Sequence, residues 1–231
     1  MKKIKLIKFL PLALLILVVS CMDEIDPTPN PMQGLYFNYV PNEVGRTAVY
    51  DVSLITKDEF TGNQDTLNYQ MKETIESEFI DLSGRKTQRL ELYTRADSTQ
   101  PWVITDVWTA NLLSDRYEKK EENITYVKLR FPLVEGNVWN GNLYNNLAAQ
   151  EYSLTSLNTP TILNGISFDS TLTVLQSDYE DLLEKSFAVE KYATGAGLIY
   201  KESIFLKKDF NNPGSIKAQT KYRQTLVYYT N

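Results

Sequence analysis

The side chains able to do chemistry are a restricted set. Histidine is absent from the 231 residues, and cysteine occurs once, at Cys21. Without imidazole the chain lacks the usual neutral-pH acid–base group and the commonest metal ligand. A Ser-His-Asp or Cys-His relay cannot be assembled, nor can a histidine-containing zinc site. Carboxylate, lysine, tyrosine and serine chemistry remain. The 29 acidic residues leave a glycosidase-type pair open, but no two are singled out by spacing. Asp178, Glu180 and Asp181 lack the loop of a calcium site. Gly195-Ala196-Gly197 lacks the spacing of a dinucleotide or phosphate loop and reads as a tight turn. No cofactor and no metal are expected, and the composition leans against an enzyme.

Rings are plentiful, with 15 Tyr, 9 Phe and 3 Trp. Trp102, Trp108, Trp139, Tyr192 and Tyr200 are candidates for lining a ligand groove or for packing a core, and both readings stay open. Gly136, Gly141, Gly195 and Gly197 read as structural turn glycines next to them.

The elements that would carry these residues begin with a leader. Lys2, Lys3, Lys5 and Lys8 precede an apolar run of eleven residues, Phe9 to Val19, then Ser20 and Cys21. The run is too short for a transmembrane helix, which needs about 20 residues, and fits a secretory signal. Val18-Val19-Ser20-Cys21 resembles a bacterial lipobox. That resemblance implies cleavage before Cys21 and acylation of its thiol and new amine. A lone cysteine suits lipid attachment better than a disulfide. The acidic Asp23 and Glu24 resemble the export signal of Bacteroidota surface lipoproteins, which implies the outer membrane. Residues 1–20 are therefore read as the signal peptide. Residues 21–34 are read as the lipidated cysteine with a proline-spaced tether (Pro27, Pro29, Pro31), and residues 35–231 as one domain.

Of 24 basic side chains, four lie in the leader, which leaves 20 against 29 acidic ones, a net charge of −9 for the remainder. Nucleic acid is not an expected partner for such a field. The expected partners are a membrane, through the anchor, and a hydrophobic small ligand or an envelope protein.

The body reads as strands. Ala48, Tyr50, Val52 and Leu54 share one face at two-residue spacing. Residues 66–82 favour one long strand over an amphipathic helix, paired through Ser83-Gly84 with 89–94. Residues 102–113, 124–129, 151–157, 170–176, 187–192, 198–207 and 217–229 follow. Arg116–Asn123 reads as a solvated, charged hairpin end, 178–185 as a loop or helical turn, and 211–215 as a turn. Pro132 should end ladder pairing, and Trp139 between Gly136 and Gly141 should plug the core or cover a mouth. Nine to eleven strands with short connections predict an all-β fold: an antiparallel meander curled into a half-barrel or lipocalin-like barrel, with a β-sandwich as the alternative.

Pro132–Gly141 and the segment Tyr192-Ala193-Thr194-Gly195-Ala196-Gly197-Leu198-Ile199-Tyr200-Lys201-Glu202 resemble paired segments of uncharacterised extracytoplasmic proteins of Bacteroidota and Proteobacteria. Ala196 replaces their usual valine. The resemblance implies a curved sheet related to lipoprotein-carrier half-barrels, and it implies no single role. The expected function is a membrane-anchored envelope lipoprotein acting as a non-catalytic binding or accessory module. The alternatives are a structural subunit of an outer-membrane complex or a carboxylate-dependent hydrolase.

Overall fold

The computed structural model describes residues 37–230. The leader, Cys21 and the tether lie outside the described residues. A short 3-10 turn, Phe37–Tyr39, is followed by twelve strands. These are β1 (Thr47–Lys57), β2 (Gln64–Ile80), β3 (Lys86–Arg95), β4 (Val103–Leu112), β5 (Arg116–Glu121) and β6 (Ile124–Arg130), then β7 (Val138–Asn140), β8 (Glu151–Leu163), β9 (Ile166–Glu180), β10 (Glu184–Ala193), β11 (Gly197–Asp209) and β12 (Asn212–Tyr229). All are antiparallel in one nearly closed, barrel-shaped sheet of order β6-β5-β4-β3-β2-β1-β12-β11-β10-β9-β8-β7. The expected barrel-like meander is thus the fold, with a strand more than the upper expectation, and the sandwich alternative is set aside.

The first and last strands pair in the middle of this order, so the two sheet edges, β6 and β7, are consecutive in sequence. They meet at a narrow seam. The Val127 amide donates to the Gly141 carbonyl at 2.9 Å. The indole Nε1 of Trp139 donates to the Val127 carbonyl, also at 2.9 Å. Gly141 lies flat against the Tyr152 ring, where a Cβ would collide. Trp139 itself is buried and belongs to the core cluster at this seam.

Alternation builds the interior. Ala48, Tyr50 and Val52 of β1 are buried, as are Met71 and Ile75 of β2 and Leu90 and Leu92 of β3. Each such side chain contributes about 1.5–3 kcal/mol on burial. On β12, Tyr222, Gln224 and Leu226 share the inner face, but Tyr228 does not. A register shift at Val49/Tyr50 leaves Tyr228 exposed and packs Tyr229 against the core.

One end of the barrel is plugged. The fully buried Tyr39 hydroxyl bonds Asn158 Oδ1 at 3.0 Å and Ser170 Oγ at 2.7 Å. The Gly195 amide donates to the Asn38 carbonyl at 2.9 Å. Gly197 has φ +76°, and a Cβ there would sit 2.7 Å from Pro41. The other end is open and uneven. β5 and β6 have 6 and 7 residues, whereas β2 has 17, β9 has 15 and β12 has 18. The Glu122–Asn123 turn is therefore a low lip facing a tall wall.

Several expectations are corrected here. Arg116–Asn123 is not a solvated hairpin end: residues 116–121 form β5, and Tyr117, Glu118 and Lys119 are buried. Glu73 on β2 neutralises Lys119, and Arg85 together with Arg116 of the same strand neutralises Glu118, so these charges need not stay in water. Residues 178–185 hold the end of β9, a turn at 181–183 and the start of β10, rather than a loop or helical turn. The strand expected at 151–157 runs on to Leu163. The turn expected at 211–215 sits earlier, with Asp209 paired to Asn212 and register shifts beside it. β8 is the most irregular strand. It contains Pro160, its Asn158 has φ 57°, and its pairing with β9 shifts three times between Leu154 and Thr161.

Candidate functional site

Across the lumen runs a cluster of three lysines and three glutamates. Lys119 Nζ on β5 pairs with Glu73 on β2 at 2.5 Å. Lys128 Nζ on β6 lies 3.0 Å from Glu121 on β5 and 3.0 Å from Glu190 on β10. Lys201 Nζ on β11 stands 3.6 Å from Glu121 and 3.8 Å from Glu190. The Tyr192 hydroxyl donates to the other Glu190 oxygen at 2.6 Å. The side chains of Lys128 and Glu190 are 5% and 1% exposed. Isolated charges at such depth would be costly, so the pairing is what permits them.

The cluster sets the protonation of its members. Burial opposes the charged form of Glu121, but Lys128 and Lys201 outweigh it and hold the carboxyl well below the usual range. Glu190 is lowered for the same reasons. Burial likewise opposes the ammonium forms of Lys119 and Lys128, and the nearby glutamates outweigh it and raise both. Burial lifts the Tyr117 hydroxyl to about 12. Both Glu121 and Glu190 are thus carboxylates at neutral pH, and neither can act as the protonated acid of a hydrolase pair.

The cluster divides the lumen. On its plugged side lies a cavity of about 40 Å³, well short of the roughly 300 Å³ that a drug-sized ligand needs. On its open side lies a cup of about 560 Å³, with Glu121 and Lys201 at the floor and Met71, Leu92, Trp108 and Tyr222 in the walls. Trp108 is fixed by its Nε1 donating to Asp106 Oδ2 at 2.7 Å, and Lys119 lies over its ring at 5.0 Å. A second groove of about 670 Å³, lined mainly by apolar side chains including Leu54, Leu67 and Val103, adjoins the cup and shares Tyr69 and Thr94 with it.

The sequence-predicted rings separate in space. Trp108 lines the cup. Tyr192 is buried in the lumen against Glu190, and Trp139 sits at the seam. Trp102 is half-buried beside the open end, stacked by Arg95 at 4.2 Å and faced by Lys72 at 5.3 Å. Tyr200 is half-buried, its hydroxyl raised to about 12 by burial and by Glu202. The four glycines are in turns or close approaches: Gly136, Gly195 and Gly197 have positive φ, and Gly141 meets Tyr152. The ionic cluster itself escaped the sequence reading. The available signal was the alternation Tyr117-x-Lys119-x-Glu121, which puts two charges on the same face as a ring that must be buried.

Among the described residues, no group of three or more His, Cys, Asp or Glu side chains is arranged to hold a metal ion. No helix of the described residues is long and apolar enough to cross a membrane. No protein-family model matches the chain, and no curated protein matches it. Solved structures that resemble it include a candidate exported protein with a YmcC-like fold from Bacteroides fragilis. That one has a TM-score of 0.46 and 9% identity, covering 83% of this chain and 98% of the other. A candidate lipoprotein from Parabacteroides distasonis has a TM-score of 0.42 and 11% identity over the same shares of the two chains.

Proposed function

We propose that this protein is an envelope lipoprotein, anchored in the outer membrane through Cys21, whose open barrel end binds a small amphiphile without chemically changing it. The observation that carries the reading is the union of two clefts. A ring-lined cup with charged groups at its floor adjoins an apolar groove, and the two share Tyr69 and Thr94 in their linings. A ligand with a polar head and a hydrocarbon chain matches both halves, and small-molecule sites typically combine apolar walls with a few placed polar groups. Held as carboxylates, Glu121 and Glu190 favour binding over hydrolysis. The test is lipid analysis of the full-length protein purified from its membrane. One single-chain lipid per protein is expected, and Leu67→Asp should remove it. An empty wild-type protein would end this reading. The anchor has its own check: Cys21→Ser should abolish incorporation of labelled fatty acid.

A second reading is docking of an envelope protein at the same end. It is favoured by the exposed Phe60, Leu182 and Phe210, which sit on three hairpin turns that neighbour one another in the sheet order. Cross-linking from Phe60 positions to a single protein partner would support it.

A further inference from the structure

We propose that Lys201 is the head-group anchor of the cup, and that it selects an uncharged, acceptor-bearing head on a single-chain amphiphile such as a monoacylglycerol. The inference rests on the reading of the cup as a ligand site and adds the residue and the head chemistry. Three lysines reach the lumen, and two are committed. Lys119 donates to Glu73 at 2.5 Å and Lys128 to Glu190 at 3.0 Å. The side chains of these two are 9% and 5% exposed, against 25% for Lys201. Lys201 is near Glu121 and Glu190 at 3.6 and 3.8 Å, beyond hydrogen-bond reach, and donates no hydrogen bond among the described residues. An ammonium carries three donors, so it is the group at the cup floor with bonds to give.

Charge decides the head. Around Lys201, two ammonium groups (Lys128, Lys201) face two carboxylates (Glu121, Glu190), so the floor is neutral. Glu122 and Asp106 line the same cup and add negative charge. A carboxylate head would bring a further negative charge into this half-buried site, where an unbalanced charge is costly. Hydroxyl and ester oxygens accept from Lys201 without disturbing the balance. The chain then follows Met71 and Tyr69 outward to Leu67 and Leu54.

The test uses the full-length acylated protein in phosphatidylcholine vesicles and three photoreactive probes of one chain length: a monoacylglycerol, the matching fatty acid and a headless hydrocarbon. Adducts are mapped by peptide mass spectrometry. The monoacylglycerol should label the 67–71 segment of β2, and Lys201→Met should lower that yield about tenfold, the value of a charge-assisted hydrogen bond. Lys201→Arg should retain it. Equal labelling of wild type and Lys201→Met by the monoacylglycerol would overturn the anchor while leaving the cup as a ligand site. Stronger labelling by the fatty acid would overturn the uncharged head. On the wild type alone, so that no variant need fold, the hydrocarbon should label about tenfold less, and equal labelling again overturns the anchor. Absence of any lumen adduct from all three probes would overturn the cup reading itself.

Discussion

Lys128 Nζ on β6 lies 3.0 Å from Glu190 Oε1 on β10, and both side chains are almost wholly withdrawn from solvent. The pair joins a strand of the β1–β6 half of the sheet to one of the β7–β12 half. Removing one partner leaves the other charged and buried, which typically costs about 3–5 kcal/mol. Lys128→Met should therefore be severely destabilising in denaturant unfolding. The double variant Lys128→Met with Glu190→Gln should recover part of the loss, giving a non-additive cycle. Additive losses would mean that the two groups do not depend on each other.

The cluster also fixes how stability responds to pH. Glu121 and Glu190 have lowered values in the folded protein. Their contribution is complete above the ordinary glutamate value of 4.5 and is lost as pH falls toward the folded values. Lys119 and Lys128 are raised. Their contribution is complete below the ordinary lysine value of 10.5 and is lost as pH rises through the folded values. Tyr117 and Tyr192, raised from 10.0, add a loss that begins as pH climbs past that value. With no histidine in the chain and its one cysteine, Cys21, outside the described residues, no side chain of the described residues has an ordinary pKa between these limits. Thermal unfolding should show a flat plateau from about pH 6 to about pH 9 with a fall on each side. A midpoint near neutrality would contradict the assignment.

At the seam, Trp139→Phe keeps a ring but deletes the donor to the Val127 carbonyl. A loss of about 1–3 kcal/mol is expected. Hydrogen exchange should rise first at Val127, whose amide is bonded to Gly141. Unchanged protection there would show that the indole does not hold the two edges together.

At the plugged end, Gly197→Ala forces a side chain into a left-handed backbone and against Pro41. The left-handed conformation alone costs about 1–2 kcal/mol, and displacement of Pro41 adds to it. Gly84→Ala has a similar φ of +75° but open space around it, so it isolates the backbone part. Equal losses in the two variants would show that contact with Pro41 contributes nothing.

The strands were legible where burial follows a simple alternation. Ala48, Tyr50 and Val52 are inside as their spacing predicts, and the segment expected as one strand over 66–82 is strand rather than helix up to Ile80. The ionic cluster was not legible, because charge signals solvent unless a partner is known. Lys128 and Glu190 are separated by 62 positions, and nothing local to either pairs them. The seam was half legible: Pro132, Gly136, Trp139 and Gly141 marked an unusual segment, but not that it closes the sheet. Register shifts hid the rest, as at Val49/Tyr50, where one step exchanges Tyr228 and Tyr229.

The irregularity of β8 has a consequence for the edge of the sheet. Beyond its three-residue pairing with β7, this strand borders the sheet. A straight ribbon there would offer a row of free amides and carbonyls on which a second molecule could template. Pro160 supplies no amide, Asn158 turns left-handed, and the repeated slips leave no even ladder for an incoming strand to match. The border of the barrel thus offers an incoming strand no even ladder to pair with.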